Sequence, residues 1–531
     1  MDTSLTSSII LDRNVMMGVG STLFAIVVYF ISRRRETLDG IPVMTGFGDD
    51  HEKAMMVGAE KYPTTPFIVQ TQRPFVMLPT NCYEEVKNLP QDKATLWEIQ
   101  KKEMGAEFLG IFQHNAEVAI SLKMDLNRNL AGTLEAVEDK IDWVLNKELG
   151  HPEDWKAFRV HEFTVLAVAR LVAGVFVAPR FTKDDEWTNL SLGLAVELVH
   201  ARDAIKRWRI FLQPFVGPFL PELRTVNRHI SRMAEKLKPV ITNHLQESPT
   251  TAAPLYREKR KIAEKGMSED EEGEEGGSFM SWMIKRLDST DPLVLARAQV
   301  SLSFASINTT TNALTFIVLD LASRPEYIQP LGDEIEEIVR LDNVDEDENG
   351  TLRFKPASLA KLWKLDSFMK ESSRLSKNSI TNLRQVMQPM TLSTGHRLPK
   401  GTRFAFPARA VQMSTRSQAF SPEYNPPENK APHEFDGFRF YRLRKMAGKQ
   451  NRHLFVTVSP ESLTWGYGNH ACPGRFFADN ELKVILVELL RKWDIRVADP
   501  AKTNSEVLRK LRGLFVVVPK DAEVEMRRRK L

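Results

Sequence analysis

Between Thr464 and Glu481 the sequence reads TWGYGNHACPGRFFADNE, a glycine-rich loop that passes through a cysteine and runs directly into an apolar helix. No other segment restricts the fold as tightly. Pro473 suits the first helical position, where a missing amide hydrogen costs nothing, so Cys472 is expected at or near the N-cap. Unpaired amide hydrogens and the positive end of the helix dipole favour a thiolate there and lower the thiol pKa. A sulfur that ligates a metal must be in that state. Gly466, Gly468 and Gly474 permit positive φ or close backbone approach, which a flat macrocycle lying against the loop would demand.

Cys82 is the only other cysteine among 531 residues, which excludes a disulfide framework and suits a reducing compartment. It reads as a small buried hydrophobe. For Cys472, nucleophilic catalysis with His470 as base is disfavoured, because two residues' separation in a tight loop is not a recognised Cys/His arrangement. Zinc would require more cysteine or histidine partners at metal spacing. Covalent c-type haem attachment needs C-x-x-C-H, which is absent.

The loop resembles the haem-binding signature of cytochrome P-450 enzymes, F-x-x-G-x-R/H-x-C-x-G. Trp465 stands at the usual phenylalanine position, Gly468 and Gly474 match, and His470 occupies the position that often carries arginine. The resemblance implies haem b with Cys472 as axial ligand of the iron, and Trp465 packed behind the sulfur. His470 would approach a haem propionate with a charge that depends on pH. Glu371 and Arg374 in KESSRL share a helical face at three-residue spacing. By resemblance Arg439 in FDGFRF joins them in a buried Glu-Arg-Arg cluster of structural role. Arg384 in NLRQV falls where family members commonly place a propionate-binding arginine. Lys123 would serve similarly from an earlier helix, although the usual Trp-x-x-x-Arg pattern is missing there.

Pro292 to Arg324 reads as a long helix whose middle, FASINTTTNALT, inserts polar residues into an apolar stretch. Hydroxyl side chains there bond back to carbonyls and loosen a helix, so a water-lined kink is expected. The insertion resembles the family's oxygen-activation motif A/G-G-x-D/E-T-T, with Ala305 first, Ser306 second, Asn308 at the acid and Thr309 at the key threonine. Thr309 and its waters would deliver protons during oxygen activation, but Asn308 cannot ionise, so the acid–alcohol pair is incomplete.

The implied activity is a haem-dependent monooxygenase, in which the thiolate pushes electron density onto the iron and favours O–O cleavage. Electrons would come from NADPH through a separate membrane-bound reductase, since no G-x-G-x-x-G fingerprint is present. A cytochrome b-type donor is a further expected partner. The segments ARLVAGVFVAPRFTKDDEW, KLWKLDSFMKESSRL and CPGRFFADNELK resemble fungal members related to gibberellin-pathway and indole-diterpene oxidases. That kinship implies a bulky, mostly apolar terpenoid or alkaloid substrate from secondary metabolism. Two rivals keep the haem: an isomerase or dehydratase working without oxygen activation, for which Asn308 speaks, and a non-catalytic haem-binding protein.

Lysine and arginine total 73 against 69 acidic residues, so a net charge of +4 gives no bulk field to attract nucleic acid. Val15 to Ser32 is uncharged and rich in apolar residues; at about 1.5 Å per residue its apolar part reaches about 26 Å, close to the roughly 27 Å of an endoplasmic-reticulum bilayer. Arg33, Arg34 and Arg35 follow and should stay cytoplasmic. A cleaved signal peptide would want a basic leader and a small-residue cleavage site. The expected organisation is a lumenal segment over 1–14, a transmembrane anchor over 15–32, a basic flank and linker over 33–60, and a haem-thiolate catalytic domain over 61–531. This places a single-pass protein in the endoplasmic-reticulum membrane with its catalytic domain cytosolic.

Pro66 to Thr71 and Pro74 to Leu78 form a hairpin-like pair of β-rich runs. Leu122 to Leu149 and Thr225 to Leu245 carry helical periodicity, and strand signals return at Asn382 to Leu392 and Leu514 to Val518. The fold class is therefore mainly α with small β-sheets, the cytochrome P-450 fold by resemblance. Ser268 to Gly277 (SEDEEGEEGG) reads as a solvated loop. Arg207 to Pro221, with three prolines and several aromatics, cannot form one regular helix. It is either a membrane-touching lip over a substrate entrance or packed core.

Overall fold

Pro292–Ser323 forms a continuous helix of 32 residues, and most of the molecule is arranged around it. Asp291 caps its start by accepting from the Leu293 amide at 2.8 Å, with Pro292 just inside. The computed structural model describes residues 38–71, 74–209, 212–247, 279–376, 378–415, 417, 420, 430–499, 508–512 and 514–529. The proposed anchor and the acidic stretch at 268–277 lie outside the described residues. Among the described residues this central helix alone is long and apolar enough to cross a membrane, but most of its apolar length is buried inside the fold. It is a core helix.

Val160–Phe176, Pro221–Glu247 and Trp363–Ser376 pack along it. Thr164 and Thr315 pair their hydroxyls at 2.9 Å across one of these contacts, so two buried polar groups satisfy each other. Pro221–Glu247 shows why periodicity located it: Leu223, Val226, Ile230, Met233, Leu237 and Ile241 recur at helical spacing and are all buried. Each such side chain taken from water contributes about 1.5–3 kcal/mol.

The strands gather to one side. Phe67–Val69 and Phe75–Met77 pair antiparallel, Phe67 opposite Met77, as the hairpin pattern predicts. They sit in a six-stranded sheet that continues through Arg403–Phe406 and Thr381–Val386 to Ala94–Thr95. Thr381–Val386 is the strand nearest the cysteine loop in function, because it carries Asn382 and Arg384. A second sheet joins Trp493–Val497, Glu523–Arg528 and Lys156–Arg159.

The stretch from Arg207 to Pro221 is broken, with one helical turn at Gln213–Val216 and a tighter one at Gly217–Phe219. Phe215 is 73% exposed, Phe219 70% and Trp208 43%, so these rings are not core.

Candidate functional site

Cys472 lies in a loop shaped by two left-handed glycines and closed by its own backbone. Gly466 and Gly468 adopt φ of +77° and +69°. A Cβ on Gly468 would stand 2.7 Å from the Lys87 carbonyl oxygen, so only glycine fits against that neighbour. The Cys472 amide donates to the Trp465 carbonyl at 2.7 Å and the Ala471 amide to that of Gly468 at 3.0 Å. The following helix is Arg475–Lys492, with Gly474 as N-cap. This corrects the expectation that Pro473 opens the helix: Pro473 and Gly474 form a turn, and Cys472 stands two residues ahead of the cap. The sulfur still faces a cation-bearing helix start. Arg475 donates to the Cys472 carbonyl at 2.9 Å, and burial lowers this guanidinium while the Cys472 sulfur opposes that drop. Cys82, by contrast, is fully buried, and burial first, then Glu85, pushes its thiol up to about 12. That is an inert core thiol.

Trp465 is fixed by its indole, which donates to the Phe455 carbonyl at 2.7 Å, and meets the Phe455 ring edge-on with centroids 5.1 Å apart. Asn382, from the neighbouring strand, clamps the loop. Its Oδ1 accepts from the Tyr467 amide at 3.1 Å and its Nδ2 donates to the Tyr467 carbonyl at 3.0 Å.

Beneath the loop, buried charges are tied in complete groups. Glu371 binds Arg374 through two bonds of 2.8 Å, accepts from the Asp436 amide at 3.0 Å, and lies 3.4 Å from Arg439 Nε. Arg439 donates its remaining hydrogens to the carbonyls of Lys430, Ala431 and Glu434. The cluster expected from Glu371, Arg374 and Arg439 is present and fully sequestered. Burial alone would raise the Glu371 carboxyl; the two arginines outweigh it and hold it below the usual range. A second group escaped the sequence reading. Lys483 on the Arg475–Lys492 helix binds Asp366 at 3.0 Å and Asp479 at 2.9 Å, while Asp366 also accepts from the Phe455 amide at 2.9 Å. One lysine thus ties the helix after Cys472 to both Trp363–Ser376 and the segment that holds Trp465.

Arg384 is half-buried, and among the described residues its guanidinium meets only the Leu383 carbonyl, at 2.7 Å. Burial draws it down to about 10. His470 comes close enough for Arg384 to depress its pKa, after burial, and its Nε2 lies 3.1 Å from the Leu89 carbonyl. Burial and Arg384 thus favour the neutral imidazole, the Leu89 carbonyl works against them, and one ring nitrogen is engaged with the backbone. Lys123 lies in a π-helical turn, Leu122–Leu126, with its side chain exposed. Among the described residues no contact brings it to Arg384 or His470.

On the central helix, Ser306, Asn308 and Thr309 donate to the carbonyls of Leu302, Phe304 and Ala305 at 2.9, 2.9 and 2.8 Å. The back-bonding expected of this run is present, and the helix runs unbroken from Pro292 to Ser323. Ala305 and Thr309 are exposed in the middle of this otherwise buried helix.

A family model described as Cytochrome P450 matches residues 135–526. The chain is 37% identical over 500 residues to the cytochrome P450 monooxygenase ascG of Acremonium egyptiacum, covering 92% of this chain and 91% of that protein. The chain belongs to the cytochrome P450 family. It is also 34% identical over 521 residues to cytochrome P450 monooxygenase 3 of Gibberella fujikuroi, covering 96% and 94%. This P450 is thus a monooxygenase of a haem-thiolate family, similar along nearly its whole length to fungal members.

The residues of this P450 fit a haem. Arg384 presents a half-buried cation whose only partner among the described residues is a neutral carbonyl, the complement of a propionate. A Cβ on Gly474, two residues after Cys472, would meet nothing within 4 Å, and Ala305 and Thr309 supply an exposed patch on the central helix. Sequence reasoning missed Asn382 and Lys483. A φ of +50° at Asn382 leaves only a weak trace, the tolerance of asparagine for the left-handed region. Lys483 leaves none beyond its spacing of four from Asp479.

Proposed function

We propose that this P450 oxygenates a bulky, apolar secondary-metabolite scaffold of terpenoid or alkaloid type, and that Cys472 would hold the haem iron as a thiolate. The observation that carries the reading is the Cys472 loop: a half-buried sulfur ahead of a helix start, with its amide pinned to Trp465 and a guanidinium alongside. When bound, the haem supplies oxygen activation at iron, strengthened by the thiolate. The chain's own residues do the rest. Arg384 orients the cofactor through a propionate. Trp465 and the Glu371–Arg374–Arg439 cluster hold the loop and its support rigid. Thr309 Oγ1 donates to Ala305 and keeps its lone pairs free, so it orders water and passes protons into the reacting space. Asn308 orders water without supplying a proton of its own.

Two electrons come from NADPH through a separate reductase. The segment 15–32 anchors the chain in the endoplasmic-reticulum membrane with the catalytic domain cytosolic, and the exposed Phe215 and Phe219 support a second contact with the same surface.

Cys472→Ala is expected to abolish the red-shifted Soret band that the reduced carbon monoxide complex owes to a thiolate ligand. Survival of that band would remove the ligand assignment. Coexpression with a reductase, feeding of terpenoid and alkaloid precursors, and mass spectrometry under labelled dioxygen test the substrate class. An oxygenated product carrying no label would sink the reaction.

A further inference from the structure

The central helix carries a guanidinium that no counter-charge among the described residues reaches. Arg297 lies one turn before Ser301 and three turns before Thr309. Its Nε is buried without an acceptor, and among the described residues no hydrogen bond or ion pair reaches the side chain. The chain nonetheless folds down onto it. Gly110 takes φ of +63°, and a Cβ there would stand 3.1 Å from both Cζ and Nε of Arg297. Phe112, with φ of +61° although it is not glycine, donates its amide to Ser301 Oγ at 3.1 Å. Ser301 passes its own hydrogen to the Arg297 carbonyl, also at 3.1 Å. The Phe112 ring then meets Phe304 edge-on, with centroids 6.2 Å apart.

Positions 297, 301 and 304 share one face of the helix by their spacing of four and three. The segment from Gly110 to Phe112 is strapped along that face and reaches Phe304, the residue before Ala305, where the exposed patch begins. Phe112, a non-glycine residue in the left-handed region, stores strain of the kind that persists where a site needs it. The strap partly desolvates Arg297 and offers it no carboxylate. A planar guanidinium in that state binds a carboxylate through two parallel bonds, and binds it better than an exposed arginine does.

We propose that Arg297 is the polar anchor of the substrate site and pairs with a carboxylate carried by the apolar scaffold. Eight residues to Ala305 and twelve to Thr309, at about 1.5 Å each, separate Arg297 from the exposed patch by about 12–18 Å along the helix axis. This rests on the proposed oxygenation at the Thr309 face and names its substrate as an acid. Arg297 thus decides which end of the scaffold is held remote from the chemistry.

The test uses the full-length holoenzyme in zwitterionic lipid and the probes decanoate, dodecanoate, tetradecanoate and hexadecanoate, each beside its methyl ester. Affinity is read by equilibrium dialysis and by the ferric spin-state shift of the Soret band. At one chain length or more, the acid is expected to bind at least about tenfold tighter than its ester, the scale of a charge-assisted pair. Arg297→Met should bring acid and ester to the same affinity while the reduced carbon monoxide spectrum reports an intact fold. Arg297→Gln, which keeps a polar side chain without charge, should do likewise and decides the matter if the methionine variant does not accumulate. Equal binding of acid and ester by the wild type, or a preference that survives in the variants, would overturn the proposal. Failure of the oxygenation reading looks different: the acid preference is present, but no acid yields an oxygenated product.

Discussion

Replacing Asn382 with glycine removes the side chain that holds the cysteine loop by both edges, yet leaves the backbone free to keep its φ of +50°. The two bonds lost, to the Tyr467 amide at 3.1 Å and the Tyr467 carbonyl at 3.0 Å, are each part-buried. At about 0.5–1.5 kcal/mol apiece they amount to about 1–3 kcal/mol. Glycine adds entropy to the unfolded chain but relieves the left-handed conformation, and these effects are of similar size, about 1 kcal/mol. Alanine loses the same bonds and adds left-handed strain of about 1–2 kcal/mol, so stability should fall in the order asparagine, glycine, alanine. The assay is the rate at which the reduced carbon monoxide complex loses its thiolate band at fixed temperature. A loss of about 1–3 kcal/mol from the barrier speeds that decay about 5-fold to about 150-fold. A glycine variant within about twofold of wild type would show that Asn382 does not hold the loop. An alanine variant more stable than the glycine one would show that the left-handed backbone is not what the position requires.

Three further outcomes follow from the same geometry. Arg439→Met strips Glu371 of one buried partner and should cost about 3–5 kcal/mol, read as a large loss of haem-loaded protein per cell; normal recovery would mean that Arg374 alone suffices. Thr309→Ala removes the hydroxyl that passes protons and should raise hydrogen peroxide release relative to product, whereas unchanged coupling would move proton delivery to another group. Among the described residues Glu481 has no partner for either oxygen, and burial lifts its carboxyl from 4.5 to about 8. The folded chain then keeps a proton that the unfolded chain releases, so this contribution is complete at low pH and is lost as pH rises through the folded value. Wild-type stability should decline across that window by at most about 1.4 kcal/mol per pH unit. Glu481→Gln should flatten the decline in thermal half-life, and an unchanged pH profile would mean that the carboxyl is not neutral in the folded protein.

The ionic groups around the Cys472 loop have a shared logic. Isolated, each buried charge would cost several kcal/mol. In complete groups they contribute geometry: Glu371 fixes Arg374 and Arg439, and Lys483 joins Asp366 to Asp479. Arg384 and Arg297 stand apart, because among the described residues neither is given an anion. They are the two positions at which an anion from outside the chain has most to offer.

Several features were legible in the sequence because they depend only on neighbours along the chain. The glycines and proline around Cys472 dictate a tight loop before a helix, the spacing of Glu371 and Arg374 dictates a shared face, and the apolar alternation near Phe67 and Phe75 dictates a hairpin. The hydroxyl run at Ser306 to Thr309 likewise bonds back along its own helix. Other features were decided by which elements meet. Asn382 and Tyr467 are 85 residues apart, Lys483 and Asp366 117, and Phe112 and Ser301 189. No local pattern encodes such pairs. The same is true of His470, whose pKa burial and Arg384 lower against the pull of the Leu89 carbonyl, and of the first helical residue after Cys472, where a turn at Pro473 and Gly474 displaced the start to Arg475. Sequence specifies local conformation through sterics and periodicity, whereas partnership, burial and the charge of a titratable group depend on the environment that only the folded chain creates.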